Sequence, residues 1–268
     1  MSDSFDESWL SLRAGADIRA RDPGLAARLG ERLASRATGG PLRVLDLGAG
    51  AGNNLRALAP LLAPLGAQAW TLVDSDAALL AHAAAHPPAL ADGALTVTTG
   101  TADLAEGIAP LLDPRPDLVT ASALFDLAGR AWLTTLADAL AAARLPLYAL
   151  LSYDGRQHWA PLHEADVAVI AAFHADQARD KGLGPALGPE AHATLAALLA
   201  ARGFDTAEAA SDWVLEAPRD AALIAALADG TAAAARQAEP ATADAWHHAR
   251  RSATAAMIGH KDLLAWPS

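Results

Sequence analysis

The sequence predicts an α/β fold on a doubly wound, mostly parallel sheet, and three observations predict it. Short apolar or β-branched runs alternate with helix-forming stretches along most of the chain. The first such run, Arg43 to Leu47, passes straight into three alternating glycines, Gly48, Gly50 and Gly52. Three successive runs end on or beside an acid: Asp46, Asp74 and Asp103. A parallel strand buried on both faces reads as continuous Val/Leu, which the first run does. The glycines permit a tight turn and close approach of a ligand to the backbone. The helix after them offers free N–H groups at its start.

The remaining elements follow in order. Ala69 to Asp74 reads as a second strand, with Ser75 or Asp76 as the cap of the next helix. Ala94 to Thr99 is an alternating, β-branched third strand, followed by Asp103 and Leu104. The turn Asp113-Pro114-Arg115-Pro116 introduces a fourth strand, Asp117 to Ser122. A helix through Arg130 to Arg144 carries Trp132, Leu133, Leu136 and Leu140 at helical spacing. The fifth strand is Leu147 to Ser152, ended by Asp154-Gly155. A helix from Pro189 to Arg202 stops at Gly203, and two short strands lie near 206–210 and 212–216, where a closing antiparallel strand is expected.

Three segments lie outside that core and set the expected domains. Residues 1–38 form an N-terminal helical lid or extension; 39–217 form the α/β domain, with an insertion at 156–188; 218–268 form an Ala-rich C-terminal helical extension. The insertion holds an amphipathic helix around Glu164 to Arg179 and a glycine-proline loop, Lys181 to Pro189.

The glycine spacing and its acid choose the ligand. A dinucleotide fingerprint is G-x-G-x-x-G with pyrophosphate on the helix start; here the pattern is G-x-G-x-G, and Asp46 stands before it. A carboxylate there repels phosphate and suits a cation. The Asp-x-Gly-x-Gly-x-Gly pattern, with Asp74 and Asp103 at the next two strand ends, resembles the class I S-adenosylmethionine-dependent methyltransferases. The resemblance implies a Rossmann-like, seven-stranded methyltransferase sheet with one antiparallel strand, and S-adenosylmethionine as cofactor. It implies that Asp46, Gly48, Gly50, Gly52, Asn53, Asp74, Ser75, Asp103, Leu104 and Ser122 line the cofactor, with Asp74 on the ribose hydroxyls and Asp103 on the adenine amino group. Taken singly, Asp46 reads equally as a capping acid, Asp74 as a cap neighbour and Asp103 as a loop residue.

In such a fold methyl transfer is an in-line displacement, so the protein mainly aligns and desolvates the acceptor. The segment after the fourth strand, Ser122-Ala123-Leu124-Phe125-Asp126-Leu127, lacks the Asn/Asp-Pro-Pro-Tyr signature of amino-methylating enzymes that act on nucleobases. Asp126 orients or deprotonates an acceptor, or caps the next helix; both readings stay open. After the fifth strand Tyr153, Asp154, Arg156, His158, Trp159 and His163 form the richest polar-aromatic cluster. The candidate catalytic residues are Asp126, Tyr153 and His158; the candidate acceptor contacts are Trp9, Arg13, Phe125, Asp126, Tyr153, Trp159 and His163. An N-terminal lid would use Phe5, Trp9, Arg13, Asp17, Arg19 and Arg21.

Composition narrows the partners. A net charge of −11 opposes attraction to phosphate backbones, so the expected partner is a small molecule and not a nucleic acid. No apolar run reaches the roughly 20 residues of a membrane span. Cysteine is absent, which leaves no thiolate chemistry, and the spacings of His158, His163, His247 and His248 match no familiar metal site. The acidic N-terminus is unlike a signal peptide, so a cytoplasmic location is expected. A homodimer is compatible with the sequence, which sets no oligomeric state. The function expected is methyl transfer to a small-molecule acceptor. The alternatives are a non-catalytic cofactor-binding or scaffold protein and, further off, a protein or RNA methyltransferase.

Overall fold

A computed structural model of the chain describes residues 7–35, 39–90 and 95–268. Its strands are β1 (Leu42–Leu47), β2 (Gln68–Asp74), β3 (Leu95–Thr101), β4 (Leu118–Ser122), β5 (Leu147–Ala160), β6 (Phe204–Ala210), β7 (Trp213–Glu216) and β8 (Ala255–Pro267). They form one sheet in the order β3-β2-β1-β4-β5-β8-β6, with β7 also paired to β8. Strands β1 to β5 are parallel to one another, and β8 runs antiparallel to β5, β6 and β7. Strand order reverses between β1 and β4, and a crevice opens at the carboxyl ends of strands at such a point.

Helices cover both faces. On one face lie α2 (Pro23–Ala34), α3 (Asn53–Leu62) and α4 (Ala77–Ala85). Asp22 caps α2 by accepting from the Leu25 amide at 2.6 Å, and Pro23 opens the helix where no N–H is needed. Leu25, Leu29 and Leu33 then form its buried stripe, packed with Val44, Trp70 and Leu72 of the sheet. On the other face α5 (Arg130–Ala143) and α7 (Ala191–Ala200) bury Leu133, Leu136, Leu140, Leu195 and Leu199 against Leu45, Leu47, Val119 and Leu147. Outside these layers are α1 (Glu7–Ala20), α6 (Asp166–Gln177), α8 (Ala221–Ala235) and α9 (Pro240–Arg250). None of the described helices is long and apolar enough to cross a membrane.

The C-terminus departs from the sequence expectation. Residues 221–235 and 240–250 are helical, but 255–267 form β8, which lies between β5 and β6 and is the antiparallel strand. The segments at 204–216, where that strand was expected, run antiparallel to β8 and hence parallel to β5. Strand β6 pairs with residues 261–267 and β7 with 255–258, so the two share one edge of β8, broken at Ser211-Asp212. Eight strands thus occupy seven lanes. The α/β unit is incomplete at residue 217, because its sheet needs β8. The cause of the misreading is burial on both sides: Ala255 to Pro267 shows neither alternation nor a turn signal beyond Gly259. Strand β5 is also longer than expected, running through 156–160 into the stretch read as an insertion. The expected boundary at 38 and the start of the third strand at Ala94 lie outside the described residues.

The cap of α6, α8 and α9 has its own polar anchor. Arg250 has a side chain only 1% exposed, and it pairs with Asp166 and donates to the Pro161 carbonyl at 2.6 Å. Asp166 also accepts from Trp246 Nε1 at 2.7 Å, while the Trp246 and Trp159 rings meet edge to face at 5.3 Å. Removing the carboxylate leaves a buried guanidinium without its counter-charge and the Trp246 indole N–H without that acceptor. We therefore expect Asp166→Ala to cost about 3 kcal/mol in urea unfolding. A loss within about 0.5 kcal/mol, the range of ordinary surface substitutions, would refute the anchoring role.

Candidate functional site

The carboxyl ends of β1, β2 and β4 converge on the glycine loop. Gly48, Gly50 and Gly52 have φ of 62°, 50° and 82°, a region that side chains other than glycine's rarely adopt. The loop is held by main-chain bonds from Ala49 N to Val73 O (3.0 Å) and from Gly52 N to Ala49 O (2.9 Å). Asp74 ties two loops together: its Oδ2 accepts from Gly50 N at 2.8 Å and its Oδ1 from Asp76 N at 3.0 Å. Each oxygen keeps a further lone-pair direction for a ligand hydroxyl. Asp76, not Asp74 or Ser75, caps α4, accepting from Ala78 N and Leu79 N. Ser75 is exposed.

Asp46 is fully buried beside the loop. Its Oδ1 accepts from Asn54 Nδ2 at 2.8 Å, and its Oδ2 has no hydrogen-bond partner among the described residues. Burial pushes its carboxyl up to about 7; the Asn54 hydrogen bond and the nearby Arg21 charge pull the other way. Asp46 caps no helix. Asp103 is exposed and caps a short 3₁₀ turn at Leu104–Glu106 through Ala105 N. Leu104 is buried, and its carbonyl accepts from Trp132 Nε1 at 2.7 Å.

Helix α1 lies across the loop. A Cβ placed on Gly50 would come within 3.1 Å of Leu10 Cδ1, and Asn53 Nδ2 donates to the Leu10 carbonyl at 2.6 Å. Glu7 Oε1 stands 3.1 Å from His82 Nδ1 on α4. Of the residues assigned to a lid, Arg13 and Asp17 are buried and bonded to each other, and Phe5 lies outside the described residues.

The acceptor candidates divide. Asp126 sits in the turn Phe125–Leu127 after β4, half-buried, with Oδ1 enclosed and without a partner. Burial raises its carboxyl to about 6. Its helix-cap reading fails, because α5 is preceded by Gly129 at the cap position. Tyr153 lies on β5, its hydroxyl 2.8 Å from His174 Nε2 and accepting from Gln157 Nε2 at 2.9 Å. Ser122 is half-buried at the end of β4, and Trp9 packs edge to face on Trp213 at 6.4 Å.

Four candidates sit elsewhere. Phe125 is 0% exposed and packs near Trp132 in the core under α5. His158 is exposed, paired in register with Met257, about 20 Å along β5 from Ser152 by the rise per residue. Trp159 belongs to the Trp246 and Arg250 cluster. His163 organises the entry to α6, with Nδ1 accepting from Ala165 N at 3.1 Å. The extension of β5 is the reason: what reads as a loop over the crevice is a strand that leaves it.

The structure also places here residues that the sequence left unassigned. His260, His174, Trp213 and Asp262 come from α6, β7 and β8, with no motif spacing to connect them.

No family model and no curated protein matches the chain. Among solved structures it is similar to the cyclopropane-fatty-acyl-phospholipid synthase-like protein of Lactobacillus casei, at 17% identity and TM-score 0.50, over 97% of this chain and 100% of that one. A putative methyltransferase of Bacillus halodurans matches at 15% identity and TM-score 0.48, over 89% of this chain and 99% of that one. Magnesium protoporphyrin IX methyltransferase of Synechocystis, solved with bound SAH, matches at 16% identity and TM-score 0.44, over 79% and 83%. With this sheet order, this glycine loop and an end-to-end likeness to the Lactobacillus protein, the chain has the fold of the class I S-adenosylmethionine-dependent methyltransferases.

Proposed function

We propose that the protein transfers a methyl group from S-adenosylmethionine to a small-molecule acceptor. The observation that carries this reading is the assembled cradle: three glycines at positive φ, with Gly50 N held by Asp74 at the tip of β2. The unpartnered Asp46 Oδ2 beside it suits an ammonium or sulfonium-bearing ligand better than a phosphate. When bound, the donor supplies an electrophilic methyl carbon. The chain's own work is to hold the ribose at Asp74, to keep phosphate ligands out with Asp46, and to exclude water by closing α1 over the loop. Leu10 and Asn53 make that closure, so residues 7–34 act as a lid in this reading. Asp103, exposed at the third strand end, is free to reach the adenine amino group through the oxygen that does not cap the turn. The −11 net charge supports a small acceptor over nucleic acid.

Calorimetric titration with S-adenosylmethionine, S-adenosylhomocysteine and NAD tests the reading: binding of the first two and not of NAD is expected, and binding of NAD alone would overturn it. Asp74→Ala should weaken S-adenosylhomocysteine by about 1–3 kcal/mol through loss of charge-assisted hydrogen bonds. An unchanged Kd would remove Asp74 from the ribose site.

Asp46 also sets a pH dependence. Its folded pKa of about 7 stands above the usual 3.8, so the native state holds more protons than the unfolded chain between those values. Its contribution to stability is therefore greatest in acid and falls as pH rises, levelling above about 7. Asp46→Asn should flatten the unfolding free energy by about 2–3 kcal/mol between about pH 5 and about pH 8. Identical slopes for variant and parent would show that Asp46 is ionised over that range in the native state as well as in the unfolded chain, and would refute the raised native pKa.

A further inference from the structure

The two ends of the sheet are finished differently. The end at β6 and β7 carries devices that keep strand edges from pairing with other chains. On β6, Asp205 takes ion pairs from Arg28 and Arg32 of α2, and Glu208 pairs with His192 at 2.9 Å. Strand β7 is only four residues long, and its Val214 carbonyl accepts from Arg219 Nη2 at 3.4 Å.

Strand β3, at the other end, has none of these. No residue from 93 to 102 is charged and none is proline, in a chain whose net charge is −11. The strand pairs with β2 over all seven residues without a bulge, and no described strand lies on its other side. Five of the seven are Thr or Val, the β-branched type that favours strand pairing. Thr96, Thr98, Thr99 and Thr101 are exposed.

The register fixes which groups this edge offers. Ala102 N donates to the Asp74 carbonyl at 3.0 Å, so the main chain of the even-numbered residues turns toward β2. The N–H and C=O groups of Leu95, Val97, Thr99 and Thr101 therefore point outward, with no strand among the described residues to take them. Their spacing makes the edge its own complement. Turned about a two-fold axis through Thr98, the strand meets a second β3 running antiparallel. Val97 then stands opposite the second copy's Thr99, and Leu95 opposite its Thr101. Each is a hydrogen-bonded pair that exchanges two bonds, so the seam takes about eight main-chain hydrogen bonds. Thr98 meets its own copy at the close, non-hydrogen-bonded position, where facing threonines are favourable. Charge selects the same partner: two copies of an acidic chain repel wherever their carboxylates meet, and this strip presents none.

We propose that β3 is the interface of a homodimer in which two sheets join edge to edge into one. A second copy is the occupant because donors, acceptors and β-branched side chains fall in self-complementary order, whereas a basic partner would find no carboxylate on the strand to hold. The axis sets the carboxyl ends of the two β3 strands in opposite directions, so the seam leaves both glycine loops uncovered.

Sedimentation equilibrium of the full chain over a dilution series tests the interface. The parent should show a monomer–dimer equilibrium, and Thr99→Lys and Thr99→Pro should each leave a monomer. Thr99 is exposed and its N–H points outward, so neither change touches the β2 ladder, and the thermal melt of each variant should match that of the parent monomer. Hydrogen exchange in the parent needs no variant, so it decides the matter even where a substitution impairs folding. The amides of Leu95, Val97, Thr99 and Thr101 should exchange about tenfold more slowly in concentrated than in dilute protein. A parent that stays monomeric at the highest concentration, a dimer that survives both substitutions, or equal exchange of the four amides at both concentrations would each refute the interface.

Discussion

The buried guanidinium of Arg21, at the corner between α1 and α2, is the interaction on which the rest of the structure depends. Its Nη2 donates to Asn54 Oδ1 at 2.9 Å, and Asn54 Nδ2 in turn donates to Asp46 at 2.8 Å and to Thr120 at 3.1 Å. Thr120 Oγ1 passes the chain of bonds to the Tyr148 carbonyl at 2.8 Å. Asp46, Thr120 and Tyr148 are register partners, so the polar ladder crosses β1, β4 and β5 in one row. On the far side Asp262 of β8 is a further carboxylate in the field of Arg21. A cation desolvated in this way is tolerated only with opposite charge close by, and removing either side leaves the other stranded. The N-terminal helices, the glycine-loop acid and the last strand are therefore held to one another by a single charge balance.

That balance reaches the chemistry through the backbone. Asp262 Oδ1 accepts from the Leu151 amide at 2.8 Å, where β5 bulges against β8 and Leu151 adopts φ 53°. Across the parallel pair Ala123 also has φ 53°, and its amide donates to the Leu150 carbonyl at 2.9 Å. Two non-glycine residues in the left-handed region each cost on the order of 1–3 kcal/mol, and such strain persists where surroundings over-determine it. Here Ala123 opens the segment that carries Asp126, and Leu151 stands across the sheet from it. The bulge also lets β5 turn Tyr153 toward His174 and His260 before it continues to Trp159 and the helical cap.

The cap and the core meet at α1. One turn of this helix presents Leu10 to Gly50 and Trp9 to Trp213, so the same element packs on the glycine loop and on β7. Arg13, one turn further on, stacks on Trp213 and is neutralised by Asp17.

The sequence by itself determined the parallel half of the sheet, the glycine loop and the acids at the strand ends. Those features are local: a run of Val and Leu, alternating glycines and an Asp at a strand tip carry their backbone requirements within a few residues. It determined the helix stripes at Leu25, Leu29 and Leu33 for the same reason, since one face of a helix is written at fixed spacing. The candidate site was legible only where it follows strand ends in order, at Asp46, Asp74 and Asp126. Only the tertiary structure decided that Ala255 to Pro267 is a central strand, because a segment buried on both faces carries no periodicity of its own. It likewise decided that His158, Trp159 and His163 lie along the far end of β5 and the entry to α6, while His260 and His174 pack on Tyr153 and Trp213 packs on His260. Their placement depends on pairing partners far away in the chain, and a side chain's face on a strand follows from register, which long-range contacts set.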